Sequence, residues 1–271
     1  MKQIINDICI QLQAVYPEEE ARALAWWVIE ESTGLSRSEI LSGCKGTKNM
    51  PNLQAIIERL LHFEPIQYIF GHTLWAGLDI KVTPATLIPR PETAELVEQL
   101  DRFSEKKMRV LDVGTGSGCI AIALKKHHPE WEVIGIDISA EAISVAKENA
   151  ARNNVEVSFL TVDIFSDGID CFDHFNIVVS NPPYICESEK ASMRPNVLKY
   201  EPSSALFVPD HDPLRFYRRI ASLHLGRYVF FEINEAFSHE MTAMMSELGY
   251  TDIQIINDIY GKPRIIEGRM A

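Results

Sequence analysis

Nowhere in this chain do two cysteines stand at C-x-x-C spacing, an absence that removes the usual zinc and dithiol signatures. The five cysteines present (Cys9, Cys44, Cys119, Cys171 and Cys186) are odd in number and widely scattered. They predict reduced thiols, mostly filling the core, with neither a disulfide framework nor a metal site. No apolar run approaches the roughly 20 residues that span a bilayer. The opening stretch MKQIINDICIQLQ carries Asn6, Asp7 and glutamines where a secretory leader is uniformly apolar. The expectation is a cytoplasmic protein without membrane contact. Positive charge is scarce too, because 26 Lys and Arg face 38 Asp and Glu, for a formal charge of -12. Nucleic-acid binding works by neutralising phosphates, so an acidic chain without a basic stripe predicts no direct nucleic-acid partner. The short clusters at Lys106, Lys107 and Arg109, at Lys125 and Lys126, and at Arg218 and Arg219 read as solvated helix ends. Internal repeats and low-complexity tracts are also missing.

What is present suits a folded enzyme. With 271 residues and 46% hydrophobic content the chain can bury a substantial core. Up to about residue 70 the apolar positions recur at helical spacing: Ile4, Ile5, Ile8 and Leu12, then Leu24, Trp27, Val28 and Ile29, then Ile56, Ile57, Leu60 and Leu61. Pro17 suits the start of the second helix, Gly34 its stop, and Pro51-Asn52 precedes the third run. From His72 to Thr86 the texture turns strand-like, with Leu78, Ile80 and Val82 alternating against Asp79 and Lys81. Beyond Pro91, helical stretches alternate with short β-rich runs at Val110–Val113, Val133–Ile136, Val157–Leu160, Ile177–Val179 and Tyr228–Ile233. That alternation predicts an α/β fold, a mainly parallel sheet covered by helices on both faces. The expected division is a helical bundle over 1–71, a β-hairpin linker over 72–90 and a catalytic domain over 91–271.

Chemistry concentrates at strand ends. Val110-Leu-Asp-Val-Gly-Thr-Gly-Ser-Gly118 runs a buried strand into a glycine turn and then a helix, a place where backbone can approach a nucleotide-type ligand. The dinucleotide fingerprint needs a glycine where Cys119 stands, so NAD fits poorly. Asp137 ends the next strand and offers a carboxylate to ribose hydroxyls, or else caps a helix. After a third strand, Asp163 offers an acceptor for an exocyclic amine and Phe165 a wall for a flat base. The most specific signal is Asn181-Pro182-Pro183-Tyr184 at the end of the strand Asn176–Ser180. The prolines fix φ and donate no N–H, which leaves carbonyl groups free to accept from a ligand. The Asn181 oxygen and the Pro182 carbonyl are placed to accept both hydrogens of an –NH₂ group, and Tyr184 to stack on or wall off a planar group. Together these features predict an S-adenosylmethionine-dependent methyltransferase acting on a planar nitrogen, either an amide or the N6 amine of DNA or RNA adenine.

These residues resemble the HemK/PrmC family of protein-(glutamine-N5) methyltransferases. Besides both motifs, the resemblance rests on Pro65-Ile-Gln-Tyr-Ile-Phe-Gly71, Leu87-Ile-Pro-Arg-Pro-Glu-Thr93, Tyr200-Glu-Pro202, Ala205-Leu206, Phe231-Glu-Ile233, and Asp258-Ile-Tyr-Gly261 with Arg264. It implies a Rossmann-like class I methyltransferase domain with a seven-stranded, mostly parallel sheet behind a small helical bundle that docks substrate. It implies, further, that the methyl acceptor is the glutamine of the Gly-Gly-Gln loop of a peptide chain release factor, a translation-termination protein, with S-adenosylhomocysteine as coproduct and the chain acting as a monomer. By carry-over, Gly114, Thr115, Gly116, Ser117 and Gly118 would hold the methionine part of the cofactor, Asp137 its ribose and Phe165 its adenine. Asn181 would face cofactor and glutamine together, and Pro182, Pro183 and Tyr184 would complete the amide pocket. Two positions depart from the family pattern. Asn234 stands where glycine usually follows Phe-Glu-Ile, and its tolerance of left-handed backbone predicts only local adjustment. Ala94 replaces a frequent glutamate, leaving Arg90 and Glu92 as structural or gating residues.

Overall fold

The computed structural model describes residues 1–44, 52–167, 169 and 172–270; Pro51 and Cys171 lie outside them. The described chain divides into two compact units, one formed by Met1–Gly71 with Arg194–Tyr200, the other by His72–Met193 with Glu201–Ala271.

The first unit contains α1 (Lys2–Leu12), α2 (Glu18–Thr33), α3 (Arg37–Leu41), α4 (Leu53–Leu61) and α5 (Ile66–Phe70). Its core forms where helical spacing brings apolar faces together: Ile5, Ile8 and Leu12 of α1, Ala25, Val28 and Ile29 of α2, and Ile56, Ile57 and Leu60 of α4. The helix ends follow local chemistry. Gly34 closes α2 in the left-handed conformation at φ 69°, its N–H donating to the Glu30 carbonyl. Ser36 and Glu39 form a reciprocal capping box at the start of α3, and Asn52 caps α4 through Ala55 N–H. The later segment of this unit is braced by Arg194 on Glu20 at 2.9 Å and by the Tyr200 hydroxyl donating to the His62 carbonyl at 3.1 Å.

The second unit opens with the hairpin β1 (His72–Trp75) and β2 (Leu78–Lys81), turned by Ala76 and Gly77, both at positive φ as a tight hairpin requires. There follow α6 (Thr93–Leu100), β3 (Arg109–Val113), α7 (Cys119–His127), β4 (Glu132–Asp137), α8 (Ala140–Arg152), β5 (Ser158–Thr161) and β6 (Phe175–Ser180). A short parallel pair, β7 (Ile185–Cys186) and β8 (Phe207–Val208), flanks α9 (Pro195–Tyr200) in the chain. The unit ends with α10 (Arg215–Ser222), β9 (Gly226–Glu232), α11 (Ser238–Glu247), β10 (Tyr250–Asn257) and β11 (Pro263–Met270).

Seven strands form the main sheet in the order β10-β11-β9-β6-β3-β4-β5, with only the pairings of β11 antiparallel. The central strands are buried on both faces, as parallel strands covered by helices must be: Val110, Leu111, Ile177 and Val179 are all inaccessible. Five of these strands follow apolar runs visible in the sequence. The closing pair β10–β11 does not, because β10 is an edge strand with a register shift between Thr251 and Gln254 and a positive φ at Asp252, so its apolar alternation is broken.

From β3 the chain winds outward through β4 and β5, then returns to place β6 on the other side of β3. The carboxyl ends of β3 and β6 thus flank a topological switch point, the crevice where open α/β sheets bind ligands. Val113 and Ser180 are register partners there, and the buried Ser180 hydroxyl donates to the Val113 carbonyl at 2.6 Å. Gly114 and Asn181 are the residues that follow.

The sheet also dictates Gly135 on β4. A Cβ at that position would lie 2.6 Å from the Phe159 ring and 2.8 Å from the Thr115 hydroxyl. Overpacking of this kind costs about 1–3 kcal/mol, so G135A should lower unfolding free energy by that amount in urea denaturation. A stability equal to wild type would refute the tight contact.

Candidate active site

A cavity of about 510 Å³ opens at the carboxyl ends of β3, β4, β5 and β6. The glycine turn forms its floor. Gly114 and Thr115 both donate N–H to the Ile136 carbonyl, at 2.8 and 2.9 Å, which seats the turn on the end of β4. Gly116 adopts φ 54° and its N–H donates to Asp137 Oδ2 at 2.9 Å. Gly118, at φ 81°, begins α7 where a Cβ would lie 3.0 Å from both Ala146 and Phe159. Its partner glycines differ: a Cβ at Gly114 meets nothing within 4 Å, so the turn leaves open space on the cavity side. Buried Asn149 pins the turn from behind, donating to the Ser117 carbonyl and pairing with both backbone groups of Lys81 on β2. Cys119 is inert filler, since burial pushes its thiol up to about 12.

Asp137 sits on the cavity wall and does not cap α8; Ser139 does, accepting from Ala142 N–H. Each Asp137 oxygen takes one backbone N–H, from Gly116 and Ser139, and retains a further lone pair. Burial raises its pKa, while the backbone groups of Ser139, Gly116 and Ile138 oppose the shift. Beyond β5, Asp163 Oδ1 accepts from Phe165 N–H and fixes the turn that holds the Phe165 ring at the cavity. That ring meets Phe216 edge-on at 5.3 Å, and the Arg215 guanidinium lies 4.9 Å over it. Arg215 and Phe216 of α10 also line the cavity, which sequence patterning did not indicate because nothing near them marks a ligand site.

Asn181, Pro182 and Pro183 line the cavity as well. The Asn181 Nδ2 donates to Thr93 Oγ1 at 3.1 Å, and among the described residues no donor is paired with its Oδ1. Tyr184 turns away from the cavity instead of walling it: its hydroxyl donates to Glu232 Oε1 at 3.0 Å, and its ring packs with the sheet core. The physical reason is the buried carboxylate of Glu232, which needs donors. Glu232 receives a second from the Thr93 hydroxyl at 2.7 Å. One sequence signal marked this residue, a charge inside the apolar run Phe230-Phe231-Glu232-Ile233.

Arg90 is in keeping with the structural reading, whereas the expectation for Asn234 is revised. Arg90 pairs with Glu201 at 2.7 Å, and Glu201 also accepts from Ile88 N–H, fixing the wall formed by Leu87, Pro89 and Arg90. Asn234 does not use left-handed backbone; it is extended at φ -72°, and its Oδ1 caps a short 3-10 turn through Ala236 N–H. Asparagine replaces glycine there through its side chain.

Family models, relatives and a solved structure match this chain. Residues 91–198 match the Methyltransferase small domain, which defines the class, and residues 3–71 match the PrmC N-terminal domain. A release factor glutamine methyltransferase of Bacteroides thetaiotaomicron is 44% identical, covering 98% of this chain and 99% of the relative. One from Flavobacterium psychrophilum is 38% identical over 94% of each chain. A methyltransferase from Pyrococcus furiosus shares the fold, with a TM-score of 0.53 at 20% identity over 80% of this chain and 98% of its own. The chain belongs to the release factor glutamine methyltransferase family. S-adenosylmethionine is its cofactor, and the cavity suits it. The open face of the Gly114 turn admits close approach of a ligand, Asp137 keeps free lone pairs, and the volume lies within the roughly 300–1,000 Å³ of small-molecule sites.

Asp112, inaccessible beneath the turn, accepts from the Thr115 hydroxyl at 2.6 Å. Burial pushes its carboxyl up to about 7, against the Thr115 bond that lowers it. A carboxyl raised on folding binds its proton more tightly in the native state, so stability drops as pH rises from the unfolded value near 4 toward 7. D112N should therefore flatten the loss of stability between pH 5 and pH 8 by on the order of 2 kcal/mol, measured by urea denaturation at both values. An unaltered pH slope would contradict this assignment.

Proposed function

We propose that this chain transfers the methyl group of S-adenosylmethionine to the side-chain amide N5 of the glutamine in the Gly-Gly-Gln loop of a peptide chain release factor. The observation that carries the reading is Asn181: its amide nitrogen donates to Thr93 and the residue lines the cavity, which makes its oxygen the acceptor in this reading. Membership in a family named for this reaction supports it.

An amide nitrogen is a weak nucleophile because its lone pair is delocalised. The Asn181 oxygen and the Pro182 carbonyl accept the hydrogens of the –NH₂ group, which draws electron density toward nitrogen and favours the pyramidal geometry of attack. Bound S-adenosylmethionine supplies an electrophilic methyl on its sulfonium. Positioning of this kind is worth up to roughly 7–11 kcal/mol, and the spare proton can leave after transfer, so no base of shifted pKa is needed. The residues 114–118 hold the methionine part, Asp137 the ribose and Phe165 the adenine. Tyr184 acts through Glu232, and the bundle of residues 1–71 docks the release factor.

The enzyme works in the cytoplasm, as a monomer and without nucleic acid. A charge of -12 supports the last point, as does the engagement of Lys125, Lys126 and Arg219 with backbone carbonyls and of Arg218 with Asp212. Among the described residues no helix is long and apolar enough to cross a membrane.

Labelled S-adenosylmethionine offered with a purified release factor should label it, and the Gln→Ala form of its Gly-Gly-Gln loop should stay unlabelled. Label on DNA or ribosomal RNA instead would overturn the reading. N181A should retain cofactor affinity yet lose turnover by at least about tenfold, because an unpaired buried amide hydrogen costs roughly 1–3 kcal/mol. D137A should raise the cofactor dissociation constant in calorimetry; an unchanged value would remove Asp137 from the site.

A further inference from the structure

Beneath Asn181 lies a buried polar chain that the transfer reaction does not itself touch. Glu232, at the end of β9, is 1% exposed. Its two carboxylate oxygens accept from different hydroxyls, Oε1 from Tyr184 at 3.0 Å and Oε2 from Thr93 at 2.7 Å. Thr93, at the start of α6, is itself buried and accepts from Asn181 Nδ2 at 3.1 Å.

The polarity of this chain follows from proton counting. A carboxylate is acceptor-only, and a threonine hydroxyl has a single proton. With Glu232 ionised, Thr93 gives that proton to Oε2 and can only accept on its other side. It must then meet the –NH₂ end of the Asn181 amide, and the carbonyl end is turned to the cavity. Were Glu232 to carry a proton, it could donate to Thr93, Thr93 could donate in turn, and the amide would be held just as well the other way round. In that orientation Asn181 presents donors to a substrate –NH₂ group, and the acceptor is gone.

We infer that Glu232 and Thr93 are positioning residues whose hydrogen-bond polarity selects the orientation of the Asn181 amide and so creates the acceptor the methyl-receiving nitrogen requires. The inference rests on the function proposed above. Tyr184 completes the arrangement: by satisfying the second oxygen of Glu232 it keeps the buried carboxylate from needing a proton. Charged and titratable groups act on Glu232 in both directions. Arg264 favours its ionised form, Glu92 opposes it, Cys119 feels its charge, and Tyr217 donates to its backbone carbonyl at 2.9 Å. Burial raises its pKa as the leading effect, which brings the proton within reach on the acid side.

The test uses the full-length chain with a release factor as substrate and T93V, T93S and E232Q as variants. T93V removes the acceptor that holds the amide nitrogen, so kcat should fall by about tenfold to a hundredfold, the scale of a small misplacement at a reacting centre. The cofactor dissociation constant should stay within about threefold, and T93S, which keeps the hydroxyl, should recover kcat to within about threefold, each well below one tenfold step of about 1.4 kcal/mol. In wild type, kcat should decline at acid pH as Glu232 protonates; E232Q mimics that protonated state and should show low kcat with no acid limb. A purely structural role would shift stability and leave the pH profile unaltered. Independently of turnover, the Asn181 side-chain NH₂ resonance, assigned by its loss in N181A, should show a hydrogen-exchange-protected proton in wild type and T93S, and lose that protection in T93V. Wild-type kcat in T93V, or an Asn181 resonance unchanged in it, overturns the inference. If the wild-type chain labels no release factor, the proposed function fails, and the relay still stands or falls on the Asn181 resonance.

Discussion

Everything at the site depends on the seam between β3 and β6. The two strands are parallel, share the register pair Val113 and Ser180, and are pinned by the hydroxyl of a fully buried serine on the Val113 carbonyl. Side chains in a parallel ladder are locked to their neighbours by register, and a slip of one residue would turn each to the opposite face. With register fixed, the glycine turn and the Asn-Pro-Pro sequence must leave the sheet side by side. Both then line one cavity, which is the adjacency that the proposed methyl transfer requires. The glycines serve this seam twice: they let backbone bend back onto Ile136, and they keep the space in front of the turn open.

The seam also explains why the site was legible in the sequence. Both motifs are contiguous, and each follows an apolar run that reads as a buried strand, so their places at strand ends follow from the sequence, while the adjacency of the two strands comes from the sheet order. The bundle was legible for a similar reason, since the periods of its first, second and fourth helices are regular, Gly34 stops the second and Asn52 starts the fourth. Strand pairing at the sheet edge was not legible, because bulges in β10 break the alternation that patterning detects. Nor was the supporting network. Thr93, Glu201 and Glu232 come from far along the chain, and nothing local says that Thr93 will meet Glu232 or that Arg90 will meet Glu201. Tyr184 shows the limit most clearly: its place within the motif suggested contact with substrate, whereas a buried carboxylate elsewhere in the sequence draws it away.

The buried charge of Glu232 is costly in isolation and is tolerated because two hydroxyls and the field of Arg264 sustain it. Such a group contributes specificity of arrangement more than stability. Asp112 under the glycine turn follows the same principle, with one threonine as its side-chain donor and burial raising its pKa. Two buried carboxyls, both raised by burial, thus lie behind the residues that line the cavity, one between two hydroxyls and the other against one.

The segment Arg194–Tyr200 interrupts the catalytic half of the chain yet packs as part of the amino-terminal unit, on Glu20 and the His62 carbonyl. The polypeptide therefore enters that unit twice. The bundle is not a detachable cassette, because a protein beginning at His72 would still carry α9 without the surface that folds it.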